Sequence, residues 1–215
     1  MPRFFYVKIH MNIFYLDHDV YKCAEMHNNK HTVKMILEYA QLLSTAHRYL
    51  DGTEGKHLSP AGRNIRDWRL GDNRDNILYS ATHINHPSAV WARKSSANYD
   101  WLYVMWVELM DEYTYRYGRV HASERLKHAL SRLPYKIPKG DFTPPTPAMP
   151  DEYKVGDVAE SYHKYYIGSK RVMSRWTDRP MPKWFFDGIN TEYNEDCYVI
   201  TNKRGQIVST STVNM

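Results

Sequence analysis

Only two cysteines, Cys23 and Cys197, occur among the 215 residues. They are too few and too far apart for a disulfide framework or a zinc knuckle. No apolar run approaches the ~20 residues that a membrane span requires. No charged segment followed by an apolar stretch and a small-residue cleavage site opens the chain, so no leader is expected. The chain is therefore expected to be soluble and intracellular, with no membrane partner. Gly-x-Gly-x-x-Gly, Gly-Lys-Ser/Thr, His-Glu-x-x-His and Gly-x-Ser-x-Gly are all missing. Their absence disfavours the common enzymes of nucleotide cofactors, and no nucleotide cofactor is expected. Internal repeats and low-complexity tracts are missing too.

What is abundant is polar aromatic surface. Eighteen Tyr and six Trp stand beside only six Phe. Such rings combine a flat apolar face with a polar handle, which suits both a wet core and stacking against bases. Lys and Arg number 29 against 24 Asp and Glu, giving a formal charge of +5. That balance is compatible with a polyanionic partner and does not demand one. With 42% hydrophobic residues, a sizeable core can form, and the length suits one domain.

Along the chain, residues 1–10 read as an N-terminal extension, 11–187 as a helical catalytic or binding domain, and 188–215 as a tail. A short strand is expected around Ile13 and Tyr15. Asp17 or Asp19 then offers an N-cap for a helical region reaching Leu50. Residues 51–81, rich in glycine and charge, read as a long functional loop or an ornament. There Arg63, Arg66, Arg69 and Arg74 are either solvated loop charges or phosphate contacts. Ser95 or Ser96 caps a second long helix over 97–117, closed by Gly118, and a short helix over 122–133 follows. Six prolines in 134–150 keep that stretch extended. Asp157 with Glu160 forms a capping box for a helix over 158–167. A hairpin is expected around Asn202-Lys203-Arg204-Gly205. The fold class is mainly α, a single-domain bundle around two long helices.

The first long helix carries an informative pattern. His27, His31, Lys34, Glu38, Gln41 and Thr45 follow at spacings of 4, 3, 4, 3 and 4, one helical face on an otherwise apolar segment. This stripe is either the helix's solvent strip or the wall of a polar cleft. As a cleft it supplies a carboxylate (Glu38), a cation (Lys34) and two imidazoles (His27, His31). Cys23, His27 and His31 also share i, i+4, i+8 spacing, which suits a metal if His83, His86 or His121 adds a ligand. A second constellation joins His86-Pro87, Trp91, Arg93, Ser96, Asn98 and Tyr99 to a helix carrying Glu112 and Arg116. It reads as core packing or as a nucleic-acid surface beside a helix N-terminus. The run Tyr162-His163-Lys164-Tyr165-Tyr166, with Lys170 and Arg171, reads as a basic aromatic patch or as an exposed amphipathic helix.

Met11-Asn12-Ile13-Phe14-Tyr15-Leu16-Asp17, Lys30-His31-Thr32-Val33-Lys34-Met35-Ile36-Leu37-Glu38, Gln41-Leu42-Leu43, His86-Pro87 with Trp91 and Arg93, and Glu112-Tyr113-x-x-Arg116-Tyr117-Gly118 resemble a family of uncharacterised proteins of tailed bacteriophages. More distantly, this order is similar to the pyrimidine-dimer DNA glycosylases. The resemblance implies an all-helical enzyme in the host cytoplasm, acting on DNA in repair or base modification. Such an enzyme flips a nucleotide out and attacks C1′ of its sugar with an amine. It implies Glu38 or Glu112 as the carboxylate. The amine is that of Pro2, of Met11 as a second start, or of Lys30 or Lys34, unless an activated water replaces it. Two rival readings stand beside it: a metal-dependent enzyme using His27 and His31, and a phage protein that binds DNA or a host factor without turnover.

Overall fold

The computed structural model describes residues 11–58, 61–192, 197–201 and 207–212. The expected extension 1–10, with Pro2, and the turn at 202–205 lie outside the described residues. The chain is mainly helical. Two long helices, α2 (Asn29–Asp51) and α4 (Ser96–Tyr117), pack against one another, with α1 (Val20–Met26) also on α4. Around them lie α3 (Pro87–Ala92), α5 (Lys127–Leu130), α6 (Val158–Tyr165) and α7 (Lys183–Glu192). No described helix is long and apolar enough to cross a membrane.

The local signals for helix ends operate as their chemistry dictates. Ser95 caps α4 by accepting from Asn98 N, so Ser96 is the first helical residue instead of the cap. Gly118 ends α4 at φ 62, the left-handed conformation that only glycine adopts without penalty. Asp157 caps α6 through Glu160 N. Residues 134–150 form no helix or strand. The expected helix 122–133 is reduced to one tight turn, Ala122–Leu126, and the four residues of α5. The C-terminal hairpin is present as β3 (Cys197–Thr201) paired antiparallel with β4 (Ile207–Thr212).

Three expectations need correction. The N-terminal strand is absent: residues 11–17 are extended but join no sheet. Side chains serve that backbone instead. Phe14 N donates to Tyr39 Oη (3.1 Å), Leu16 N to Cys23 Sγ (3.2 Å), Ser88 Oγ to Met11 O (2.8 Å), and His163 Nε2 bonds Leu16 O (2.7 Å). Met11 to Leu16 are all buried, so the segment is a thread through the core. Next, the helix from Asp19 does not run to Leu50. It breaks at His27, and Asn28 starts α2 afresh by accepting from His31 N (2.9 Å). Finally, residues 51–81 are not a plain loop. They hold β1 (Thr53–Leu58) and β2 (Asn64–Arg69), an antiparallel ribbon pairing Glu54 with Trp68 and Lys56 with Arg66.

The core spans the described helices, with Trp106 and Trp176 its largest buried side chains. Each indole N–H finds a helix carbonyl: Trp106 on α4 bonds Ile36 O of α2 (2.9 Å), and Trp176, outside the helices, bonds Met26 O at the end of α1 (3.0 Å). A buried ring nitrogen without such a partner costs ~1–3 kcal/mol, so Trp106 also sets how α2 and α4 align.

Candidate functional site

The break between α1 and α2 exposes carbonyls that one arginine collects. Arg116 is buried on α4 and donates to His27 O (2.8 Å) and Glu25 O (2.8 Å), while its Nε bonds Glu112 (2.5 Å). Glu112 is closed from the other side by Arg179 (2.8 Å). Arg116 thus ties the end of α1 to α4, and Glu112 holds Arg116 in place. Arg179 had no sequence signal beyond its charge.

His27 and His31 come together around Phe14, against which His31 stacks at 4.0 Å. His27 Nδ1 faces Cys23 O (2.7 Å), so it carries the proton and leaves Nε2 to accept from Tyr39 Oη (3.3 Å). His31 Nδ1 bonds Tyr166 Oη (2.5 Å). Burial pushes His27 down to about 4 and His31 well below the ordinary imidazole value. Burial also pushes the Cys23 thiol up to about 12, which keeps it protonated. These nitrogens and this sulfur are spent on the fold, and among the described residues no three His, Cys, Asp or Glu side chains group to hold a metal ion.

The His-Pro constellation is largely inward. His86 caps α3, its Nδ1 accepting from Ser88 N (3.2 Å). Trp91 donates to Thr143 O (2.8 Å), and Asn98 is buried between Trp91 O and Thr143. Tyr99 Oη lies between His47 Nε2 (2.8 Å) and Leu130 O (2.9 Å). Ser96 N donates to Pro138 O (2.8 Å), so that helix start is covered by the proline-rich stretch. Arg93 is half-buried with its guanidinium over the Tyr49 ring at 4.1 Å, and one of its terminal nitrogens is buried with no hydrogen-bond partner among the described residues. Tyr162, Tyr165 and Tyr166 of the late run are buried, not exposed, and His163 stacks on Trp184 at 3.9 Å.

The stripe on α2 presents a different arrangement. Lys34 is exposed, Glu38 is buried at 6% exposure, and Thr45 is buried beneath the segment after β2. Thr45 Oγ1 meets the backbone of Thr82 both ways, accepting at 3.2 Å and donating at 3.4 Å. The next residue, His83, takes φ 48 and bonds Thr82 Oγ1 through Nδ1 (2.7 Å). A non-glycine residue in that conformation is held there by its surroundings. Glu38 Oε1 accepts from Lys34 Nζ at 2.8 Å, while Oε2 is buried with no hydrogen-bond partner among the described residues. Burial raises the Glu38 pKa, against the opposing pull of Lys34 and, more weakly, His83. A carboxylate anchored through one oxygen, bare on the other and raised toward neutrality is suited to taking or giving a proton.

Farther along the same face, Arg48 ties the following segment down, donating to Trp68 O (2.8 Å), Tyr79 O (2.7 Å), Leu78 O (3.0 Å) and Asp75 Oδ1 (2.7 Å). Its place seven and ten residues beyond Gln41 and Glu38 continues the stripe, a signal already present in the spacing. His83 was legible only as a possible metal ligand; its ring is exposed and bears on Glu38 only as a weak nearby charge. No family model, no curated protein and no solved structure matches the chain.

Proposed function

We propose that this chain is a DNA-acting enzyme that cleaves the bond between a damaged or modified pyrimidine and its sugar, in repair or base modification. Its catalytic unit is one helical domain over residues 11–187. The observation that carries this reading is Glu38, whose buried Oε2 lacks a partner while Lys34 holds Oε1. The resemblance to pyrimidine-dimer glycosylases implies Glu38 or Glu112 as the carboxylate, and Glu112 is already held by Arg116 and Arg179.

In this reading the target nucleotide is flipped out of the stack, which lays its C1′ beside Glu38. The C1′–N bond breaks as positive charge develops on the sugar, and the Glu38 carboxylate stabilises that charge. A water oxygen then bonds C1′, its proton passes to Oε2, and the released base takes a proton in return. Lys34 holds the carboxylate in place through Oε1. Glu112 has no catalytic share, because Arg116 and Arg179 occupy it.

The deciding experiment is base release from a panel of duplexes containing damaged and modified pyrimidines, with borohydride added in parallel. Glu38→Gln is expected to lose at least a hundredfold in rate with its fold intact. A borohydride-trapped adduct on Lys34 would replace water with the amine as nucleophile. Full activity of Glu38→Gln, or no release across the panel, would overturn the assignment.

A further inference from the structure

The β1–β2 ribbon stands out from the helices with almost nothing over it. Except for Gly55, Asp67 and Trp68, its residues from Thr53 to Leu58 and from Asn64 to Arg69 are exposed, including Leu58 and Ile65. A two-stranded ribbon wetted on both faces contributes little to its own stability. Trp68 anchors its root, and Gly52 permits the close approach there, since a Cβ at that position would lie 2.5 Å from Arg48 O.

The charge on this ribbon is one-sided toward its far end. Residues 56–66 contain Lys56, Arg63 and Arg66 and no Asp or Glu. The register puts Lys56 beside Arg66 on one face and His57 with Arg69 on the other. Arg66 and Arg69 are more than half exposed, and each donates Nε to a neighbouring carboxylate, Glu54 (2.7 Å) and Asp67 (3.2 Å) respectively, with the Arg66 guanidinium also over the Trp68 ring. Between the ribbon and the segment 75–81 runs a cleft of about 540 Å³, lined by Arg48, His57, Arg66, Arg69, Trp68 and Ser80 among others. Ser80 and Ala81 line that cleft, and the next residue, Thr82, seats on Thr45 of α2, seven residues from Glu38. Arg48 and Glu38 are ten residues apart on α2, a span of ~15 Å at 1.5 Å per residue.

We propose that the β1–β2 ribbon is an arm that grips the phosphate backbone of duplex DNA beside the Glu38 site. It rests on the DNA reading of the preceding section but not on any chemistry at Glu38. A two-stranded ribbon has the width of the major groove. Cations on both faces reach phosphates on either side of it, and guanidinium Nη groups pair with phosphate oxygens. The span of ~15 Å then corresponds to four or five base-pair steps along the duplex axis, at about 3.4 Å each.

The test is binding, measured on the Glu38→Gln protein so that turnover plays no part. A labelled duplex and its single strand are titrated by fluorescence anisotropy from 50 to 200 mM salt, with the thermal midpoint of each variant recorded. The parent is expected to prefer the duplex, with a steep fall in affinity with salt. The double variant Arg66→Ala, Arg69→Ala should bind at least tenfold more weakly, its salt slope shallower by about 2, close to 0.9 for each lost phosphate contact. Arg66→Lys, Arg69→Lys should recover most of that slope, because a point charge still meets a phosphate. Lys56→Glu, at an exposed position, supplies an independent variant and should weaken binding as well. An unchanged slope in the alanine pair and Lys56→Glu, equal affinity for the single strand, or no binding by the parent would each overturn the arm. Binding that depends on the ribbon together with an absence of base release would uphold the arm and reject the enzymatic reading.

Discussion

Glu38 has lost most of its water and regained one hydrogen bond, so its charged form is held at a cost. An acid raised in the folded state favours folding at low pH and loses that advantage as pH rises through its folded pKa. Glu38→Gln keeps the shape and removes the charge. The stability of this variant relative to the parent should therefore improve as pH climbs above the ordinary carboxylate range, as urea midpoints at pH 4 and pH 7 would show. A fixed difference across that range would mean that Glu38 is not desolvated as described. The buried histidines act with the opposite sign. His27 and His47 are both pushed by burial to about 4, so the unfolded chain binds their protons first. Their stabilisation is complete above the ordinary imidazole pKa of ~6.5 and drains away as pH falls toward 4. The thermal midpoint should drop steeply across that window, and less steeply in His47→Gln. The stripe that pointed to Glu38 was legible because helical spacing is a local property. The seating of Thr82 on Thr45 was not, since that contact depends on where a loop 37 residues later returns to the helix.

At the level of elements, caps are self-announcing and breaks are not. Asp157 and Gly118 terminate helices through groups within four residues, so their roles follow from sequence alone. Gly118→Ala should cost about 1 kcal/mol by chemical denaturation, the penalty for a side chain at φ 62. The break at His27–Asn28 lies inside an unbroken helical periodicity. It is stabilised from elsewhere: Arg116, 89 residues on, takes the carbonyls that a continuous helix would have used internally. Arg116→Ala leaves Glu112 and two carbonyls buried without that donor. It should destabilise the protein by about 3–5 kcal/mol, the range for breaking a buried ion pair, while Asn28→Ala should cost about 1–2. Equal, small effects in both would show that the break is encoded locally by Asn28. The ribbon escaped the sequence reading for a related reason. Its strands are too charged to alternate in hydrophobicity, and only the anchoring of Trp68 and the grip of Arg48 mark it as structure.

For the whole molecule, the buried thread of Met11 to Leu16 joins parts of the chain that are far apart in sequence. Phe14 touches His27, His31, Tyr162 and Tyr166. Phe14→Ala should cost about 4 kcal/mol in a urea melt, the usual range for emptying an aromatic site, and loosen α6 together with α2. A loss under 1 kcal/mol would mean that the thread is not a structural centre. The sequence by itself determined the helical class, the two long helices, most of their ends, the proline-rich extended stretch and the C-terminal hairpin. Each depends on periodicity or on groups a few residues apart. Tertiary structure decided that the N-terminal segment is a thread and not a strand, that Arg116, held by Glu112, ties the end of α1 to α4, and that Glu38 is covered while Lys34 is not. A strand needs a neighbouring strand, and a buried charge needs partners brought from distant segments. Neither condition can be met or refused until the chain has folded around it.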